Sequence, residues 1–197
     1  MDKKVLDEHF RYYQENEQQF VDTERYAFVS KKCKDTYSLV YANILFNICS
    51  DFESLIRAYF GKENDDPMEI NEIIGLIESD SILIKAFDES VSFRSADYEV
   101  FQPLVVTVDN RNNKKSFKWW SAYNMVKHNK VAKIFHAKQG NVLNALAGLY
   151  IMNRYILNAI IAEGDVDIFP NDKQFFRLSN LKTKTVSLAS AVAHIVS

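Results

Sequence analysis

The chain has 197 residues, 47% of them hydrophobic and 25% charged; that is enough for one domain with a full core and the wrong balance for wholesale disorder. A net charge of −2 argues against a broadly basic nucleic-acid surface, and the two cysteines, Cys33 and Cys49, offer neither metal spacing nor a disulfide framework. Met1 to Glu8 lack the apolar core of a signal peptide, and no stretch reaches the roughly 18 consecutive apolar residues of a membrane span, so the expectation is a reduced, cytoplasmic protein without a membrane partner.

Five glycines and three prolines leave long stretches without breakers and favour helices over many short strands. Residues 3–29 read as a surface helix with sparse apolar contacts at Val5, Phe10, Tyr13 and Phe20, extended by Tyr26 and Phe28. Residues 35–60 carry the strongest signal: Tyr37, Tyr41, Ile44, Leu45, Ile48, Phe52, Leu55, Ile56 and Tyr59 recur with the period of one buried helix face. Asp35-Thr36 supplies an N-cap and Gly61 a stop, while Phe46 and Cys49 widen the apolar face as in a central helix. Glu53 and Arg57 stand four apart, as an ion pair or with the carboxylate turned inward. Pro67 can open a third helix running to about Asp80, and Ser81 to Phe87 can continue it.

Residues 88–115 are the least helical part. Tyr98, Val100 and Leu104 to Val108 are β-prone, Pro103 disfavours a central strand, and Asp109 to Asn113 form a polar turn. This segment reads as an irregular insertion with room for one β-hairpin. Two more helices follow at about 116–136 and 140–162. In the second, Ala145, Ala147 and Gly148 let a neighbour approach closely, and Gly164 ends it. The tail after Pro170, including Val186 to Val196, has no assigned order. The fold class predicted is mostly α: an antiparallel bundle of four to five main helices, one domain over 1–197 with its core at about 35–162.

No glycine loop for a dinucleotide or phosphate, no metal-ligand spacing and no serine nucleophile elbow is present, so no cofactor and no metal are expected. What remains is a polar cluster, Tyr123, Asn124, Lys127 and His128, on an otherwise apolar helix beside Trp119 and Trp120. Residues three and four apart share a helix face, which puts Asn124 one turn from His128 and beside Lys127. Three lysine-rich patches lie along the chain (Lys31, Lys32, Lys34; Arg111, Lys114, Lys115, Lys118; Lys127, Lys130, Lys133), and the last two flank this cluster. One use of the cluster is metal-free RNA cleavage, with His128 as acid/base, Asn124 orienting and Lys127 on phosphate. The other is structural: Asn124 and His128 bond to the central helix through Glu53 and fix its register.

The order Tyr123-Asn124-x-x-Lys127-His128, then a helix like Asn141 to Tyr150, after a long helix carrying Asp51-Phe52-Glu53 and Arg57, resembles the HEPN superfamily of helical bundles. The resemblance spans about 35–162. The hallmark of that family is an arginine, a polar residue, three variable residues and a histidine; here Asn124 and His128 match, and Tyr123 holds the arginine position. The resemblance implies an RNA-directed protein, a metal-independent endoribonuclease of a toxin or phage-defence system. It also implies a homodimer, RNA or a nucleotide as ligand, and an antitoxin or other protein partner. His128, Asn124 and Lys127 would be its catalytic residues, with Tyr123, Glu53 and Trp120 supporting. Tyrosine supplies no permanent cation and no bidentate fork, which keeps a non-catalytic homodimeric binding module as the alternative.

Overall fold

The computed structural model describes residues 1–62, 68–93, 100–110, 113–162, 164–165, 169 and 175–182. Three long helices, α1 (Lys3–Asp22), α2 (Leu39–Phe60) and α6 (Gln139–Ile160), pack against one another. Helix α6 buries residues on every side, from Val142 through Leu157. It has the all-round apolar character of a helix enclosed by neighbours. Among the described residues the shorter α-helices are α3 (Ile70–Ser79), α4 (Lys118–His128) and α5 (Lys130–Lys133). Helix α4 rests on both α2 and α6. By length and composition α2 is apolar enough to cross a membrane; here its apolar face is the seat of α1, α4 and α6.

Among the described residues four short strands form two antiparallel pairs. β2 (Val106–Asp109) and β3 (Lys114–Phe117) make a hairpin, with Val106 opposite Phe117, so the predicted insertion does hold one. Asn113 takes the left-handed conformation at its turn (φ 56°) and donates its N–H to the Asp109 carbonyl. β1 (Val91–Phe93) pairs instead with β4 (Phe176–Leu178), which ties the C-terminal part back to the insertion. Pro67, Tyr98, Arg111, Asn112, Pro170 and residues 186–196 lie outside the described residues.

Mostly α architecture is therefore what the chain forms, but several boundaries move for tertiary reasons. Helix α1 stops at Asp22, followed by a 3-10 turn, and Tyr26 and Phe28 are exposed. The cap of α2 is the Ser38 side chain, which accepts from the Tyr41 N–H, not Asp35-Thr36. Residues 34–36 serve a different helix, because the Lys34 and Thr36 carbonyls accept the N–H groups of Gly140 and Gln139 and so cap α6. Ser81 to Phe87 do not prolong α3; the Asp80 carboxylate accepts the Ile82 and Leu83 N–H groups and starts a separate 3-10 segment, Leu83–Asp88. The helix expected over 116–136 breaks at Asn129 (φ −151°, ψ 74°), whose side chain caps α5 through the Ala132 N–H.

Gly148 is the close-approach point of α4 on α6. A Cβ there would stand 3.1 Å from Leu104 and 3.3 Å from the Trp119 ring, and Trp119 is itself fixed by an indole bond to the Pro103 carbonyl at 2.9 Å. Gly148→Leu is expected to lower unfolding free energy by about 1–3 kcal/mol through overpacking, and urea unfolding checks it; an unchanged midpoint would show that α4 can shift at no cost.

Candidate functional site

Helix α4 begins at Lys118 and has Trp119, Trp120, Ala122 and Val126 buried. That inward stripe turns the opposite edge to solvent. Trp120 is core rather than site: it meets Phe52, Trp119 and Tyr123 edge-on, with centroids 5.4–6.1 Å apart. Tyr123 is half-buried against Phe46 of α2, 5.6 Å between centroids. The Lys127 ammonium lies 5.4 Å from the Tyr123 ring centre, a cation–π contact that orients the charge without neutralising it. Asn124 is half-buried and His128 exposed; among the described residues neither side chain has a hydrogen-bond partner.

Glu53 is not part of this group. Its Oε1 accepts from the Arg57 guanidinium (2.9 and 3.0 Å) and from the Met68 N–H (3.0 Å), so it anchors the approach to α3. The expected intrahelical pair forms, and the internal bond from Glu53 to the cluster does not. Four of the six residues singled out thus share the outer edge of α4, Trp120 supports them from beneath, and Glu53 is elsewhere.

Around this edge the charge is one-sided. Residues 111–162 contain no aspartate or glutamate, so the net −2 of the chain hides a wholly cationic stretch. Lys114 and Lys115 of the hairpin are paired with Glu69 and Glu78, both at 2.7 Å. Lys127, Lys130 and Lys133 have no carboxylate partner among the described residues; Lys130 reaches Asn43 (3.3 Å) over the Phe46 ring, and Lys133 lies 5.8 Å from Phe135. Phe46, Tyr123, Lys127 and Lys130 surround a shallow hollow of about 280 Å³. Among the described residues no three His, Cys, Asp or Glu side chains gather as a metal site.

On the other flank of α4 lies a larger cavity of about 550 Å³, between the 34–35 segment, the 102–107 stretch and the start of α6. Lys34, Lys118, Lys138 and His136 contribute its basic groups and Asp35 its carboxylate. Lys138 donates to Asp35 at 2.9 Å, and this bond, with the charges of Lys138, Lys34 and Lys118, holds the Asp35 carboxyl below its usual range. Burial and the neighbouring Lys133 and Lys138 lower the His136 pKa. Sequence reasoning missed this cavity because its walls come from segments far apart in the chain; the one available signal was the missing acids. No protein-family model, curated protein or solved structure matches the chain.

Proposed function

We propose that this is an RNA-directed helical protein of HEPN-like type that engages a single strand along the α4–α5 edge, with His128 facing the ribose–phosphate. The observation that carries the reading is the junction of α4 and α5, where Lys127, His128, Lys130 and Lys133 are all exposed in a stretch free of acids. Phosphate contacts by such cations supply most of the sequence-independent affinity for nucleic acid. An exposed imidazole with no internal partner is free to take a proton from a ribose 2′-hydroxyl. The 2′-oxygen then attacks phosphorus, the 5′-oxygen leaves with a proton, and a 2′,3′-cyclic phosphate forms without a metal. Lys127 faces the phosphate as a point charge, and Asn124, one turn before His128, orients. A homodimer placing two such edges together would supply the second acid/base group.

The alternative, a non-catalytic binding module, is favoured by one specific feature: Tyr123 stands at the arginine position and occupies Lys127 with its ring. Incubating mixed RNA with the protein and with His128→Ala in chelator, alongside RNA-binding measurements, separates the readings. Cleavage by the unaltered protein alone, with binding retained by both, is the expected result. Binding by both without cleavage selects the module, and absence of binding removes the RNA reading.

A further inference from the structure

We infer that the cavity on the opposite flank of α4 is a binding site for a nucleoside phosphate, distinct from the α4–α5 edge. Three ammonium groups, Lys34, Lys118 and Lys138, face it against one carboxylate, Asp35, so an anion entering it meets a net positive wall even with Lys138 held by Asp35. The helix N-terminus is not the anion's receptor: the first α6 N–H groups are already taken by the Lys34 and Thr36 carbonyls at 2.9 and 2.8 Å. Recognition of the charge therefore falls to the side chains, chiefly Lys34 and Lys118, which have no ion pair among the described residues.

The rest of the wall suits a flat heterocycle. Pro103, Val105, Ala122 and Met125 give an apolar surface closed by the Trp119 indole, and Val105 and Met125 are half exposed at 49% and 47%. Two amides stand beside it. Asn141 donates to the His136 carbonyl (2.9 Å) and Asn144 to the Gly140 carbonyl (2.7 Å). Among the described residues this leaves each amide oxygen and one amide hydrogen unspent. An amide offering one donor and one acceptor matches the amino and ring-nitrogen edge of adenine. The volume, about 550 Å³, falls within the usual range of small-ligand sites, roughly 300–1,000 Å³. Position is held by the backbone seam: a Cβ on Gly140 would come 3.2 Å from the Lys34 carbonyl oxygen.

The test is a titration with adenosine 5′-monophosphate, adenosine and inorganic phosphate, read by calorimetry and by the combined fluorescence of Trp119 and its neighbour Trp120. The nucleotide is expected to bind in the micromolar to millimolar range, adenosine and phosphate each at least about tenfold more weakly. Lys34→Gln and Lys118→Gln are each expected to weaken it about tenfold, the loss of one charged hydrogen bond. Lys118→Arg retains binding, and the combined Lys127→Gln, Lys130→Gln, Lys133→Gln variant binds the nucleotide unchanged, so failure here and failure of the RNA reading are separable. Short RNAs with and without a 5′-phosphate distinguish the source: a preference for the phosphorylated end, lost in Lys118→Gln, assigns the site to a strand terminus. Equal nucleotide binding by the unaltered protein and both glutamine variants overturns the inference. So does an absence of millimolar binding by the nucleotide together with indifference to the 5′-phosphate.

Discussion

Glu89→Ala is expected to lower unfolding free energy by about 3–5 kcal/mol, the loss that follows when several donors to one buried carboxylate are orphaned together. Glu89 is fully buried. Its Oε2 accepts the Tyr155 hydroxyl at 2.8 Å, and its Oε1 accepts the N–H groups of Ser90, Ser179 and Asn180 at 3.1, 2.9 and 2.8 Å. Those donors come from three places: the approach to β1, helix α6 and the exit of β4. Burial, then the bond to Glu89, raises the Tyr155 pKa well above its ordinary value, so the phenol stays a donor. Truncation leaves the Tyr155 hydroxyl and the N–H groups of Ser90 and Asn180 without an acceptor, while the Ser179 N–H keeps the Ser90 carbonyl at 2.9 Å, and it loosens β4 on β1. Glu89→Gln keeps one acceptor oxygen and is expected to cost about 1–2 kcal/mol, near the net worth of a single bond. Urea midpoints rank the pair, and limited proteolysis near 175–182 reads the loosening of β4 directly. If Glu89→Ala unfolds at the midpoint of the unaltered protein, the carboxylate is not the tie described.

Nothing in the pattern of apolar residues pointed to Glu89, and the reason is general to this fold. Periodicity reports which face of a helix is buried, so α2 and α6 were legible, as were Gly61 as a stop (φ 63°) and the small residues that admit α4. Boundaries were less so because caps are shared. Asp35-Thr36 looked like the cap of the helix it precedes, whereas its neighbourhood lends carbonyls to α6, more than a hundred positions on. Asn129 carried the signal for the α4–α5 break, a cap residue near a helix end, but the apolar residues on both sides masked it. The candidate motif was found because it lies within one helix, where spacing fixes geometry. Glu53 could join it only across two helices, where spacing fixes nothing; its carboxylate turns to Arg57 and Met68 instead. Glu89 and the cavity are assembled wholly from such long-range meetings.

Neutralising Lys127, Lys130 and Lys133 together is expected to weaken single-stranded RNA binding about a hundredfold at about 0.1 M salt. Each phosphate contact to a single strand contributes roughly 0.7 to the slope of log affinity against log salt. Three contacts therefore account for a slope change of about 2 and, at a tenth of molar salt, about two decades of affinity. A loss of that size requires the three ammonium groups to be available in the free protein, and their surroundings bear on that. Lys127, Lys130 and Lys133 lie over the rings of Tyr123, Phe46 and Phe135. An aromatic face holds a cation in place while leaving its charge uncancelled, so a strand bound there would meet positioned and still charged donors. Lys114 and Lys115 are the internal control. Each is already paired with a carboxylate at 2.7 Å, and an exposed pair must be broken before either lysine can serve a phosphate, which leaves little to gain. Their double glutamine variant is expected to keep the salt slope of the unaltered protein. Binding titrations of a labelled single strand across a series of salt concentrations measure both slopes. Equal slopes for the two variants would mean that the strand does not follow the α4–α5 edge, however tightly it binds.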